Sequence, residues 1–190
     1  MKTLLVTGFE PFGGAERNAS WEAVKRLPDT VAGYQVERLC LPVVYGDSGA
    51  MLRDAVRRLH PTLVLCVGVA GGRKQITPEK LAVNYRRAGI ADNAGKLYTG
   101  EPIVPNGPDG IMTHLPVESM VERLRKEGLP AEVSLTAGGY VCNDLYYHAL
   151  LYQAEDGYQG LFVHVPPEET LSAEESARGL RLCLETALVH

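Results

Sequence analysis

Apolar positions in this chain come in short blocks divided by glycine, proline and polar turn residues. Residues 3–7 read Thr-Leu-Leu-Val-Thr and end at Gly8, a pattern that predicts a buried strand. The loop Gly8-Phe9-Glu10-Pro11-Phe12-Gly13-Gly14 follows, and Asn18 or Ser20 is placed to cap a helix over residues 21–27. Residues 35–44 predict a second strand. Asp47 or Ser48 opens a helix to about residue 59, where Pro61 enforces a stop. Residues 62–69, Thr-Leu-Val-Leu-Cys-Val-Gly-Val, are a continuous β-rich run, as expected of a central strand covered on both faces.

The second half alternates in the same way. Residues 81–85 predict a strand, and the Gly-, Pro-, Asn- and Asp-rich stretch 88–109 a long loop or hairpin arm. Helices are expected over 116–126, 141–153 and 172–189, with strands at 131–137 and 160–165. Strands alternating with helices predict an α/β fold with a mostly parallel sheet and helices on both faces. Sites in such folds lie at the carboxyl ends of the strands, here Gly8, Val69, Ala137 and Val165.

Length and charge narrow the picture. A chain of 190 residues fits one domain over residues 1–190. Its net charge of −4 argues against a broad nucleic-acid footprint, which needs a basic face. No stretch approaches the roughly 20 apolar residues of a membrane span. The apolar run at the start is too short for a signal peptide. The cysteines, Cys40, Cys66, Cys142 and Cys183, form no CxxC pair and no disulfide framework. A cytoplasmic protein without a metal site is expected.

Cys142 has the most informative setting. In Thr136-Ala137-Gly138-Gly139-Tyr140-Val141-Cys142-Asn143-Asp144 a strand ends, two glycines turn the chain and a helix begins. The free N–H groups and dipole of a helix N-terminus favour a thiolate there and can stabilise an oxyanion. The other three cysteines read as small buried hydrophobes. A nucleophile needs a base. His164, at the end of an apolar strand, is the candidate; His60, His114, His148 and His190 have weaker settings. Glu79, after the most apolar strand, is the candidate orienting carboxylate. Each of the two, taken alone, also reads as a packed core histidine or a surface carboxylate. Gly68 to Gly72 matches neither GxGxxG nor a P-loop, so nucleotide binding is not expected. Phe9, Phe12 and Tyr140 are aromatics placed to wall a flat ligand, or simply to pack the core.

These segments together resemble pyroglutamyl-peptidase I, or pyrrolidone-carboxylate peptidase, a cysteine peptidase family. The likeness rests on Thr7-Gly8-Phe9-Glu10-Pro11-Phe12-Gly13-Gly14, Ser20-Trp21-Glu22-Ala23-Val24, Leu41-Pro42-Val43, Gly71-Gly72-Arg73 with Ile76-Thr77-Pro78-Glu79, Thr136-Ala137-Gly138 with Val141-Cys142-Asn143, and His164-Val165-Pro166. The resemblance implies a three-layer α/β/α fold and a triad of Cys142 as nucleophile, His164 as general base and Glu79 as acidic member. It implies removal of an amino-terminal pyroglutamyl residue from peptides, in the cytoplasm, by a homotetramer that uses no cofactor. Phe9, Phe12, Asn18, Val69 and Tyr140 are the expected substrate-binding residues, with Phe12 and Tyr140 as opposite walls.

The chain departs from the pattern of that family at several positions. Val69 stands where Gln is usual, Gly89 where Arg is usual and Ala91 where Pro is usual; Leu135, Gly139 and Tyr140 differ before the nucleophile. The triad positions match. Two other readings stay open, a related cysteine amide hydrolase with drifted specificity and a non-catalytic small-molecule binding protein. The glycines of the Phe9 loop suggest that it moves.

Overall fold

The computed structural model describes residues 2–189, so Met1 and His190 lie outside it. Its elements run β1 (Thr3–Phe9), α1 (Ala19–Lys25), β2 (Thr30–Val31), β3 (Tyr34–Leu41), α2 (Asp47–Leu59), β4 (Leu63–Val69), β5 (Thr77–Pro78), β6 (Leu81–Val83), β7 (Arg86–Arg87), β8 (Thr99–Glu101), β9 (Gly110–Met112), α3 (Val117–Lys126), α4 (Val141–Asp156), β10 (Gln159–Val165) and α5 (Ala173–Leu188). The central sheet has the order β2-β3-β1-β4-β10-β5. Its four middle strands are parallel, and the two-residue edge strands β2 and β5 are antiparallel to their neighbours.

Side-chain alternation divides the sheet into two apolar layers. Leu4 and Val6 of β1, Leu65 and Val67 of β4, and Leu161 and Val163 of β10 pack with α1, α3 and α5. Leu5, Val64, Cys66 and Phe162 point the other way, toward α2 and α4. The result is the expected α/β sandwich of three layers. Local chemistry fixes the helix ends. Asn18 Oδ1 accepts from Ser20 N at 3.0 Å and caps α1. His60 takes a left-handed φ of 45° and closes α2 before Pro61. Ser172 and Glu175 form a capping box on α5.

The sequence expectation fails in one strand. Residues 131–137 form only isolated bridges, Ala131 with Ile76 and Ser134 with Glu79. They run parallel to residues 76–80 with four backbone hydrogen bonds, and the ladder breaks in the middle because Pro78 has no N–H to donate. The predicted strand at 81–85 also lies outside the main sheet. It shortens to β6 and pairs with β9, while the predicted arm supplies β8, which pairs with β7.

Candidate active site

Register brings the candidate residues together. β4 and β10 are parallel neighbours with Gly68 opposite His164 and Val69 opposite Val165. His164 falls on the same side of β10 as Phe162, the side covered by α4, whose second residue is Cys142. A Cβ placed on Gly68 would lie 2.9 Å from Cys142 Sγ and 3.1 Å from His164 Cδ2. Sulfur and imidazole therefore converge on one point, above a residue that has no side chain to separate them.

The histidine is fixed from behind. His164 Nδ1 lies 2.7 Å from Glu79 Oε1. An ionised carboxylate only accepts, so Nδ1 carries the proton and Nε2, bonded to Cδ2, is the free nitrogen on the Cys142 side. Glu79 has no solvent contact. Its backbone N–H donates to Phe162 O at 2.9 Å, and Tyr146 Oη donates to its carbonyl at 2.8 Å. The Phe162 ring packs on the imidazole with centroids 4.8 Å apart.

Arg73 is a fourth member of this group. Its Nη1 donates to Glu79 Oε1 at 2.5 Å and to Thr77 Oγ1 at 2.6 Å; its Nη2 donates to Thr136 O at 2.8 Å. Glu79 Oε2, in contrast, is buried without a partner.

Burial decides the resting protonation. It pushes the Cys142 thiol up to about 12, with the Glu79 and Cys66 charges adding and Arg73 opposing. Burial also lowers His164 below its ordinary value, against the hydrogen bond it donates to Glu79. Both shifts favour an uncharged thiol and imidazole over the standing thiolate that a helix N-terminus alone would favour. That N-terminus is nonetheless open. The N-cap, Tyr140, makes no side-chain capping bond, so first-turn N–H groups remain available to an anion.

A small pocket opens beside the thiol. Phe9, Phe12, Asn18, Val69 and Tyr140 all line it with Cys142, as do Val43 and Val141, which the sequence did not single out. The Phe12 and Tyr140 rings are 6.2 Å apart between centroids and tilted by 42°. Tyr140 Oη donates to Ala91 O at 3.0 Å, which turns the hydroxyl away from the pocket. The Asn18 amide is already committed, donating to Glu10 O at 2.9 Å and accepting from Ser20.

The Phe9 loop is less free than its glycines suggest. A Cβ on Gly8 would meet Trp21 Cα at 2.8 Å, so this glycine permits close approach of α1 and is no hinge. Glu10 Oε1 accepts from Val43 N at 3.2 Å and Asn93 Nδ2 at 2.8 Å. Only Gly13 and Gly14, at φ of 62° and 81°, retain the freedom expected of the whole loop.

Sequence reasoning also missed the support of α4. Asp144, fully buried, accepts from Arg86 at 2.6 Å and from Gly46 N at 3.0 Å. Asn143 binds the backbone of Val83 and Tyr85. The signal was a polar pair directly after Cys142, ahead of the run Leu145-Tyr146-Tyr147.

Comparison with known proteins adds independent information. A family model described as pyroglutamyl peptidase matches residues 2–189. A pyrrolidone-carboxylate peptidase of Bacillus amyloliquefaciens is 42% identical over 206 aligned positions, covering 100% of this chain and 94% of that protein. The Levilactobacillus brevis protein of the same name is 41% identical, with 98% and 97% covered. The crystal structure of Bacillus amyloliquefaciens pyroglutamyl peptidase I superposes with a TM-score of 0.93 at 41% identity, covering 100% of this chain and 98% of that one. The pyrrolidone carboxyl peptidase of Thermus thermophilus gives 0.91 at 38% identity, with 97% and 100% covered.

Proposed function

The chain belongs to the pyroglutamyl peptidase family, and from that premise we propose how its own residues remove an amino-terminal pyroglutamyl residue from peptides. Cys142 is the nucleophile, His164 the general base and acid, and Glu79 the carboxylate that orients it. The observation that carries this reading is the convergence of Cys142 Sγ and the His164 ring over Gly68, with Glu79 bonded to the far nitrogen.

Pyroglutamate is a neutral lactam with one N–H and one C=O. The ring enters between Phe12 and Tyr140. The thiol attacks the pyroglutamyl carbonyl as its proton moves to His164 Nε2, and N–H groups at the start of α4 receive the oxyanion. The carbonyl re-forms, the C–N bond breaks, and His164 protonates the departing amine. Water, deprotonated by His164, hydrolyses the thioester and releases pyroglutamate, and the proton returns to sulfur. The departing chain leaves through an open groove that shares Phe12, Asn18 and Val69 with the pocket and continues to Pro167 and Glu168 beyond His164.

A related amide hydrolase with shifted acyl preference is the second reading. It is favoured by the pocket lining, in which the one polar side chain apart from the thiol and the outward-turned Tyr140 is Asn18, already hydrogen-bonded within its own loop. Cleavage of a chromogenic pyroglutamyl amide, abolished by alkylating Cys142, tests the first reading; activity confined to other amides supports the second. The proposal extends to one domain over residues 1–190 acting as a cytoplasmic homotetramer, every catalytic group coming from the chain itself. No helix among the described residues is long and apolar enough to cross a membrane. Sedimentation analysis measures the assembly.

A further inference from the structure

We infer that Arg73 is a positioning residue of the reaction, a guanidinium that locks the acidic member of the triad to the segment delivering the nucleophile. The inference rests on the functional reading above and deepens it.

Three contacts carry it. Nη1 reaches Glu79 Oε1, the same oxygen that holds His164, and also Thr77 Oγ1. Thr77 is the register partner of His164 across β5 and β10. Nη2 reaches Thr136 O, six residues before Cys142. One planar group therefore ties the base side of the site to the approach of the nucleophile. Backbone pairing of that approach with residues 76–80 ends at Ser134, so Arg73 holds the stretch beyond it, at Thr136. A guanidinium presents several donors in a fixed fork, which an ammonium cannot reproduce.

The charge acts as well as the geometry. A carboxylate without solvent contact requires a counter-charge, and the neutral resting imidazole does not supply one. Arg73 supplies it. The titratable groups around the imidazole are Glu79, Arg73, Cys142 and Tyr146 of α4, and Cys66 of β4. Of these Arg73 is the only cation. It disfavours the imidazolium and favours the thiolate, so its removal moves the titration of both His164 and Cys142 to higher pH.

Arg73→Gln and Arg73→Lys test the inference. Outer partners that orient a metal-bound histidine are worth about tenfold to a hundredfold, and a loss of that order in kcat is expected for Arg73→Gln, with KM changed less than about threefold. The acidic limb of its kcat/KM profile moves to higher pH. Arg73→Lys keeps the charge without the fork, so kcat falls while the acidic limb stays in place. Iodoacetamide modification of Cys142, followed by peptide mass spectrometry against pH, reads the thiol without any substrate; it shifts to higher pH in Arg73→Gln and stays near wild type in Arg73→Lys. Wild-type kcat and unchanged pH curves in a folded Arg73→Gln variant would overturn the inference. Should that variant not fold, wild-type kcat in Arg73→Lys overturns it alone. If the unmodified protein cleaves no pyroglutamyl amide, the substrate reading fails, and the alkylation curves still decide the role of Arg73.

Discussion

Gly68 and His164 face each other across two parallel strands, and the space where a Gly68 side chain would stand is filled by the sulfur of Cys142, the tip of the Phe162 ring and the edge of the imidazole. Nearest atoms at 2.9 to 3.1 Å leave no room for a methyl group.

Gly68→Ala is therefore expected to separate nucleophile from base. Activity on a pyroglutamyl amide should fall at least tenfold, and stability by about 1–3 kcal/mol from overpacking. Steady-state kinetics beside urea denaturation measure both, and an alanine variant with wild-type kcat/KM contradicts the shared contact point.

Cys142→Ser should fold normally and lose nearly all turnover. A serine hydroxyl replaces the thiol with little change of volume, but it is far harder to ionise and a poorer nucleophile. Thermal melting and the chromogenic assay separate the two effects. Appreciable activity in the serine variant would remove Cys142 from the nucleophile role.

The pocket walls make unequal contributions. A flat ring contacting both faces at about 3.5 Å needs roughly 7 Å between the walls, more than the 6.2 Å between Phe12 and Tyr140. Binding then requires the Phe12 side to yield, at Gly13 and Gly14, since the Tyr140 hydroxyl is tied to Ala91 O. Phe12→Ala should raise KM and lower kcat/KM substantially. Tyr140→Phe should cost no more than about 1 kcal/mol in kcat/KM, the worth of one neutral hydrogen bond. The reverse ranking refutes the two-wall pocket.

The pH profile follows from burial of the pair. Protonation of His164 removes the base, and burial holds its proton affinity below the ordinary value, so the acidic limb of kcat/KM should lie below pH 6.5. Burial raises the Cys142 thiol from an ordinary 9.0, so the alkaline limb should lie above that value. Activity should be flat between the two. An acidic midpoint above pH 6.5 would mean that Glu79 outweighs burial at the imidazole.

Much of the site could be read from the chain because its members sit at local landmarks. Cys142 follows paired glycines at a helix start, His164 ends an apolar strand, and Glu79 lies in a block shared with the family. Arg73 lies in the same block, but nothing local to it marked a role in the site. Its role depends on the carbonyl of Thr136, which is distant in sequence and invisible to any periodicity. Residues 131–137 misled for the opposite reason. Ala131, Val133, Leu135 and Ala137 alternate as a strand should, yet the pairing with residues 76–80 ends at Ser134, and Leu135 beyond it is 67% exposed. The state of the thiol was equally out of reach, since burial by distant segments outweighs the local helix end.

A thiol that rests protonated has chemical endurance. Peroxides and adventitious electrophiles react with thiolates, so a cysteine that becomes ionic only when a base is called upon spends little time exposed to them. With His164 covered by α4 and Cys142 at the start of that helix, the thiol is expected to become nucleophilic only at turnover and to form sulfenic acid slowly between turnovers. The barrier that the substrate must help to overcome is the same one that shields an idle site from oxidative inactivation.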